Sequence, residues 1–370
     1  MLVIPDWYPS AADPIAGIFV RDLVQLLSSE HDVTVILDEP GASESRMVSE
    51  SDADVRIVRI RRRRHRSVLD TIARVVHLRR TIRRLEQEGL GVDLLHAHEF
   101  SAGAAALAAS RGRWPVIISE HSTEFIERRV RGKARAIARW AFRRADAVCP
   151  VSVSLENAMK ELCATANYRV VPNFVDTEPF LRCAEQRRRE PDVAKPHLLV
   201  VALLGRHKGI PELVHAFDRV LLDHPGASLE VIGSGALEND LRRASEKWPE
   251  DAFVLAGSQP RDAVVKRMAE ADLLVSASLV ETFGIAIAEA VCAGLPVVAT
   301  SVGIAGELLD EDAGVLVPPG DADALAQGIT AAISRLGSFS VAHAAQRVQE
   351  RYSSEAVLEQ WTSLYDDLVR

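Results

Sequence analysis

Short apolar runs alternate with stretches of helical periodicity along almost the whole chain, the pattern of repeated βα units feeding a parallel sheet. In the first half the runs predict strands at Leu2–Pro5, Val33–Leu37, Val55–Ile60, Asp93–His96, Val116–Ser119, Ala147–Val151 and Arg169–Val171. Helical spacing falls at Gly17–Ser29, Leu69–Glu88, Ala102–Ser110, Lys133–Arg144 and Leu155–Leu162. The second half repeats the style, with strands at His197–Leu203, Ser228–Ile232, Phe253–Ala256, Leu273–Ser276, Val297–Thr300 and Gly314–Val317. Between the halves lies EQRRREPDVAKP, Glu185–Pro196, which is charged, holds two prolines and has no apolar period. It reads as a linker. Near the end, Val357, Leu358, Trp361, Leu364, Tyr365 and Leu368 recur at helical spacing. This is more apolar surface than a frayed tail needs, so the last helix is expected to cross back to the first domain. The predicted organisation is a first domain over 1–184, a linker over 185–196, a second domain over 197–350, and a returning helix over 351–370.

Composition narrows the class. A chain of 370 residues is comfortable for two domains. With 48% hydrophobic and 26% charged residues, it reads as soluble and globular. No apolar run reaches the roughly 18–20 residues of a membrane span. The opening MLVIPDWYPS lacks the basic flank and long apolar core of a secretory signal. Cys149, Cys163, Cys183 and Cys292 fit neither a CxxC site nor a disulfide framework, which points to a reducing cytoplasm.

The net charge of -8 hides an asymmetry: residues 1–180 carry 26 basic and 24 acidic side chains, the remainder 18 and 28. The basic excess is clustered at Arg59, Arg61, Arg62, Arg63, Arg64 and Arg66. A second cluster is Arg128, Arg129, Arg131, Lys133, Arg135, Arg139, Arg143 and Arg144. Two readings stand side by side: a solvated face, or attraction to anionic lipid headgroups or a polyanionic acceptor. Nucleic acid is not expected as a partner, because no binding motif accompanies the arginines.

The chemistry concentrates in SASLVETFGIAIAEAVCAGLPVVAT, Ser276–Thr300. An apolar strand ends in a loop with Glu281 beside Thr282, Phe283 and Gly284; a helix then carries Glu289, and a Gly-Leu-Pro turn leads to the next strand. Ligands bind open α/β sheets at the carboxyl ends of strands, and a helix N-terminus there offers unpaired N–H groups to phosphate. Glu289 is flanked by Ile285, Ala286, Ile287, Ala288, Ala290 and Val291; an acid so placed needs a partner. Earlier, VVALLGRHKGIPELVHAF places Arg206, His207 and Lys208 in a loop before a helix that begins near Pro211. A cation there adds to the helix-end amides in holding a pyrophosphate. Two acids around an anion-seeking helix end suit a ligand with a phosphate middle and hydroxyl-rich ends, such as a nucleotide-sugar. His96, His98 and His121 follow strands; for the first two a structural role is equally open, whereas His121 is placed where sites collect. No His/Cys cluster has metal-ligand spacing.

Glu281 to Glu289, with its Thr-Phe-Gly and Gly-Leu-Pro-Val-Val-Ala-Thr, resembles the E-x7-E motif of glycosyltransferase family 4, a group of retaining, nucleotide-sugar-dependent enzymes. The remaining order is similar over nearly the whole chain: WYPS with Gly17, DLLHAH at Asp93–His98, SEH at Ser119–His121, VPNFVD at Val171–Asp176, the KG loop, IGSG at Ile232–Gly235, and GIAGELL at Gly303–Leu309. The resemblance implies an α/β fold of the GT-B type, two Rossmann-like domains facing a cleft, with the donor held mainly by the second. It implies Glu289 on the ribose hydroxyls, Glu281 on the transferred sugar, and the Thr282, Phe283 and Gly284 amides on the donor. Lys208 would neutralise the diphosphate, so that no metal or cofactor is required. Gly17 and Gly233 would allow close approach of backbone to donor, and His121 would project toward the reacting sugar. One departure stands out: Leu203 occupies the place of a family arginine that shares the diphosphate, and Arg206 is its candidate replacement.

The implied reaction is front-side transfer with retention. The donor is a nucleotide-diphosphate-sugar, and the acceptor a lipid-linked saccharide or polysaccharide met at the inner face of the cell membrane. The alternatives are the same transfer onto a small soluble acceptor, such as a sugar phosphate or natural product, a GT-B-like nucleotide-sugar epimerase, and a non-catalytic binder.

Overall fold

The protein is described from a computed structural model that covers residues 1–10, 13, 16–42, 46–53, 55–64, 68–186 and 191–370. Arg66 of the first arginine cluster and residues 187–190 of the charged linker lie outside the described residues. The chain divides into two compact units: Met1–Asn173 together with Val357–Arg370, and Phe174–Ala356.

In the first unit the strands are β1 (Leu2–Pro5), β2 (Thr34–Pro40), β3 (Arg46–Asp52), β4 (Val55–Arg62), β5 (Leu95–His98), β6 (Val116–Glu120) and β7 (Ala147–Pro150). The helices are α1 (Ile18–Leu27), α2 (Val68–Gln87), α3 (Phe100–Ser110), α4 (Gly132–Phe142) and α5 (Val153–Leu162). The seven described strands form one sheet in the order β3-β4-β2-β1-β5-β6-β7, parallel except for β3 against β4. Strands β1, β5, β6 and β7 are buried along their whole length, as a sheet covered on both faces requires. The order reverses between β1 and β5, so the loops after these strands open a crevice at their carboxyl ends.

The second unit contains α6 (Glu178–Gln186), β8 (His197–Val201), a single 3₁₀ turn at Arg206–Lys208, α7 (Ile210–Asp223), β9 (Ser228–Ile232), α8 (Glu238–Ser245), β10 (Phe253–Gly257) and α9 (Arg261–Glu270). It continues with β11 (Leu273–Ser276), α10 (Ile285–Cys292), β12 (Val297–Thr300), α11 (Ala305–Leu308), β13 (Gly314–Val317), α12 (Ala322–Ser334) and α13 (Ala342–Tyr352). Its six described strands run parallel in the order β10-β9-β8-β11-β12-β13, with the reversal between β8 and β11. Leu198, Val200, Phe217, Leu229, Val275, Val298 and Ile329 centre its core.

The last helix, α14 (Ser354–Val369), returns the chain to the first unit. Its Val357, Trp361, Leu364 and Tyr365 are buried, and burying such side chains contributes about 1.5–3 kcal/mol each. The Tyr365 hydroxyl meets His96 Nδ1 at 2.9 Å, and Thr362 Oγ1 meets His31 Nε2 at 3.0 Å. The fold class is therefore α/β with two Rossmann-like parallel sheets.

Three local differences from the sequence reading have physical causes. β3 was absent from the expected strands because its sequence, RMVSESD, is a mostly exposed edge with one neighbour and needs no apolar run. Residues Arg169–Val171 form no strand; an isolated bridge just before them joins Tyr168 to Val148 of β7. The division between the units falls at Asn173 and Phe174, ahead of the charged 185–196 segment used as the linker, because α6 packs on α9 and α10 through the fully buried Phe180.

Candidate functional site

The second unit assembles its polar groups at the β8/β11 reversal. After β8 the chain makes the 3₁₀ turn and then caps α7 with Gly209. After β11 the loop from Ala277 to Gly284 runs against that turn: Leu279 and Val280 N–H groups donate to the His207 carbonyl at 2.8 and 3.3 Å. Gly209 has φ 65°, and a Cβ there would lie 1.9 Å from the Ala277 carbonyl oxygen. The two loops are thus clamped backbone to backbone, and their side chains converge. Lys208 Nζ donates to Glu281 Oε2, and both side chains are about four-fifths removed from solvent. A third loop closes the group, with Ile304 N–H donating to the Phe283 carbonyl at 2.8 Å.

Gly284, at φ 111°, turns the chain into α10. Phe283 is buried edge-on against Tyr352 at 5.2 Å between ring centroids, and Thr282 is buried beside it. Glu289 lies inside α10 with 8% of its surface exposed, as its apolar neighbours require. Burial pushes its carboxyl up to about 7, opposed by Arg261 and aided by Asp176. Arg261, the first residue of α9, was not anticipated from sequence. Its guanidinium reaches Glu289 Oε1 at 3.4 Å, Asp176 Oδ2 at 3.6 Å and the Asp176 carbonyl at 3.0 Å, and lies over the Phe180 ring. No local pattern could have found it, since its partners come from distant segments.

The remaining expected donor residues are placed as follows. Arg206 is exposed in the 3₁₀ turn and has no acidic partner among the described residues. Leu203, at the place of the missing arginine, is 52% exposed. Gly233 has φ 142°, and a Cβ there would sit 1.8 Å from the Ala202 carbonyl oxygen. Gly17, in the first unit at φ 68°, would drive a Cβ to 2.3 Å from the Trp7 carbonyl oxygen. At both positions the close approach visible in the structure is chain on chain.

In the first unit, His121 follows β6 and packs its ring on Phe19 at 4.6 Å. Its Nε2 is 3.1 Å from His98 Nδ1, while His96 Nε2 is 2.7 Å from Ser119 Oγ. Burial drives His121 and His96 down to about 3, and His98 well below its ordinary value, so all three imidazoles are neutral at physiological pH. Beside them, Glu120 accepts N–H bonds from Phe100 at 3.0 Å, His121 at 3.3 Å and Ser122 at 3.2 Å. Glu99 stands at φ 77°, ψ 147°, a region L-residues rarely adopt. Burial, with the neighbouring Glu120, raises the Glu99 carboxyl well above its usual range, and burial raises that of Glu120 too. The sequence reading named His96, His98 and His121, took Glu120 only as part of the SEH motif and did not single out Glu99; a carboxylate next to each of His98 and His121 was the available signal.

Comparison with known proteins bears on the family and the fold. Residues 184–338 match the family described as Glycosyl transferases group 1, and residues 16–179 match Glycosyltransferase Family 4. Among curated proteins, the chain is 26% identical over 250 residues to a glycogen synthase of Mycobacterium tuberculosis, covering 64% of this chain and 59% of that one. It is 30% identical over 223 residues to a phosphatidylinositol N-acetylglucosaminyltransferase component from Arabidopsis thaliana, covering 60% and 49%. These two matches span about half to three fifths of the relatives' own lengths. With the N-acetyl-alpha-D-glucosaminyl L-malate synthase of Bacillus anthracis it shares 25% over 291 residues, covering 75% and 76%. Among solved structures, sucrose-phosphate synthase from Thermosynechococcus elongatus superposes with a TM-score of 0.78 at 19% identity, over 99% of this chain and 98% of that one. Anabaena HepE, determined with UDP and glucose, superposes with a TM-score of 0.77 at 19% identity, over 99% of both. At these identities the likeness to the solved structures is one of fold.

Proposed function

This chain belongs to glycosyltransferase family 4, and on that premise we propose that it moves a sugar, with retention, from a nucleotide-diphosphate-sugar to a lipid-linked or polysaccharide acceptor. The observation that carries the reading is the convergence of Lys208 and Glu281 at the β8/β11 reversal, with the buried Glu289 on the helix that follows. We assign Lys208 to the diphosphate, Glu289 to the ribose hydroxyls and Glu281 to hydroxyls of the transferred sugar. The amides of Thr282, Phe283 and Gly284 serve as additional donors at the start of α10. Exposed Arg206 is a second candidate cation for the phosphates. Gly17 and Gly233 keep their loops close-packed. That HepE has been determined with UDP and with UDP-glucose supports a nucleotide-sugar as the donor.

In the proposed step the acceptor hydroxyl attacks the anomeric carbon from the face the diphosphate leaves. The bond from that carbon to the phosphate oxygen breaks as the new C–O bond forms. The acceptor proton passes to the departing phosphate. Lys208 and the helix-end amides stabilise the negative charge that grows on the leaving group, so this chemistry draws on no metal. His121, held neutral, acts as a hydrogen-bonding group toward the sugar rather than as a charged acid. The proposed setting is the cytoplasm, at the inner face of the cell membrane. Among the described residues no helix is long and apolar enough to cross a membrane.

A second acceptor class is favoured by one relative: the Bacillus anthracis synthase has L-malate in its name and aligns over three quarters of both chains, so transfer to a small soluble acceptor stands as the alternative. A thermal-shift panel of nucleoside diphosphates and nucleotide-sugars tests the donor assignment, because a ligand of the native state raises its stability by mass action. The expected outcome is stabilisation by one nucleotide-sugar and its diphosphate, followed by an acceptor-dependent product with the donor's anomeric configuration. Stabilisation by none of them would remove the reading, and rearrangement of donor alone would replace it with an epimerase.

A further inference from the structure

The two arginine clusters of the first unit have different fates in the fold. Arg59 is held by Glu39 and Glu50, each at 2.6 Å, and Arg61 by Glu39 at 3.2 Å. Arg62 is fully buried, in bidentate contact with Asp38 and Asp70. These arginines are structural, and of the described members of their cluster only Arg63 and Arg64 are left facing solvent without such pairing.

The helices α2, α3 and α4 present the opposite situation. α2 packs on α3 and α3 on α4, making one layer of the first unit. From Thr71 to Leu85 of α2, and throughout α3 and α4, there is no acidic residue. On α2, Leu69, Ile72, Val76, Arg80 and Arg83 recur at helical spacing along one stripe. Its apolar half is unusually open, with Leu69 63% and Ile72 53% exposed. On α4, Lys133, Ile137 and Trp140 form the matching stripe, which Arg144 continues just past the helix end, and Ile137 and Trp140 are exposed. The Arg144 guanidinium lies over the Trp140 ring, and Arg135, Arg139 and Arg143 border a recess of about 390 Å³ beside it. Arg74, Arg84 and Arg113 nearby are taken up by Asp6, Glu88 and Glu86. Arg79, Arg80, Arg83, Lys133, Arg135, Arg139 and Arg143 have no acidic partner among the described residues.

A cationic, partly apolar layer on a chain of net charge -8 fits one kind of partner. A soluble polyanion would use the arginines and leave Leu69, Ile72, Val76 and Trp140 in water. A bilayer with anionic headgroups uses both, since cations sit at the headgroups while aromatic and aliphatic side chains enter the acyl boundary. We propose that the outer face of the α2–α3–α4 layer docks this protein on an anionic phospholipid membrane. The arginines of α2 and α4 meet headgroups, and the Ile72 and Trp140 side chains sit at the acyl boundary. This deepens the lipid-acceptor reading above, yet docking is measured without donor or acceptor, so each can fail alone.

The test is co-sedimentation with vesicles of phosphatidylcholine, alone or with about 30% phosphatidylglycerol. Binding is expected to the anionic vesicles only, and to weaken as salt shortens the screening length. Each cation near the surface is worth about fivefold in partitioning, so Arg79→Gln/Arg80→Gln/Arg83→Gln lowers it about 100-fold. The same charge change in the second unit, Arg219→Gln/Arg242→Gln/Arg243→Gln, leaves partitioning near that of the parent protein. Tryptophan emission shifts to the blue on binding, and Trp140→Phe removes the shift while sedimentation persists. The proposal is overturned if the protein ignores anionic vesicles at low salt, binds neutral vesicles equally well, or keeps full binding in the α2 variant. Retention on heparin without vesicle binding would overturn it too, in favour of a soluble polyanion.

Discussion

Glu289→Gln separates what this acid does for the fold from what it does for the ligand. In the native protein, burial raises the Glu289 carboxyl from 4.5 to about 7. A carboxyl raised by folding is a cost carried by its ionised form: the native state binds the proton more tightly than the unfolded chain. Stability therefore falls as pH rises from about 4.5 to about 7 and stays lowered above that. The shift corresponds to about 3 kcal/mol. Glutamine has no proton to lose and fills the same space, so the variant escapes this loss. Relative to the parent protein, its Tm should gain about 6–12 °C between pH 4.5 and pH 8, at about 2–4 °C per kcal/mol for a unit of this size. The same substitution should weaken nucleoside diphosphate binding at pH 8 about 10–100-fold, because one charge-assisted hydrogen bond to the ribose is worth roughly 1.5–3 kcal/mol. Scanning calorimetry at the two pH values and a nucleotide titration read both effects. A Tm difference identical at pH 4.5 and pH 8 would refute the burial argument. Unchanged nucleotide affinity would refute the ribose assignment.

Three further outcomes follow from the same geometry. Lys208→Met should cost about 10–100-fold in nucleoside diphosphate affinity and leave the bare nucleoside unaffected; equal losses for both ligands in a calorimetric titration would count against a phosphate role. Arg261→Ala removes the group that lowers the Glu289 carboxyl, so the pH below which donor binding fades should move upward, and an unmoved profile would show that Arg261 does not govern that acid. His121→Asn should lower kcat without altering the shape of the pH–rate profile near neutrality, because the imidazole titrates only near about 3; loss of an acidic limb in the variant would mean that His121 titrates in the working enzyme.

Much of the second unit was legible because the central strands β9, β11 and β12 are largely buried on both faces, while the edge strand β13 keeps an apolar run despite its exposed Leu316. β9, β11, β12 and β13 stand at the residues the apolar runs marked. α6 escaped notice because Phe180 and Cys183 are spaced among charges that dominate a local reading, although the helix buries Phe180 completely. Glu289 was legible as a buried acid from its neighbours alone. Arg261 was not, because its meeting with Glu289 and Asp176 exists only after α9 and α10 take their places. The arginine clusters show the same limit. Sequence presents Arg59 and Arg62 as members of a basic run, and only the fold reveals that Glu39, Glu50, Asp38 and Asp70 consume them.

The pairing of Lys208 with Glu281 has a consequence for selectivity. In the resting protein the cation proposed for the phosphates and the acid proposed for the sugar satisfy each other. A ligand offering only an anion must draw Lys208 away and strand a largely buried carboxylate. A ligand offering only hydroxyls must draw Glu281 away and strand the ammonium. On the proposed roles an intact nucleotide-sugar would relieve both at once, and the pair would act as a coincidence detector. After transfer the sugar has gone, Glu281 again lacks a partner, and the spent diphosphate competes with that acid for Lys208. On those proposed roles, the contact that screens ligands on entry would also hasten the product's exit.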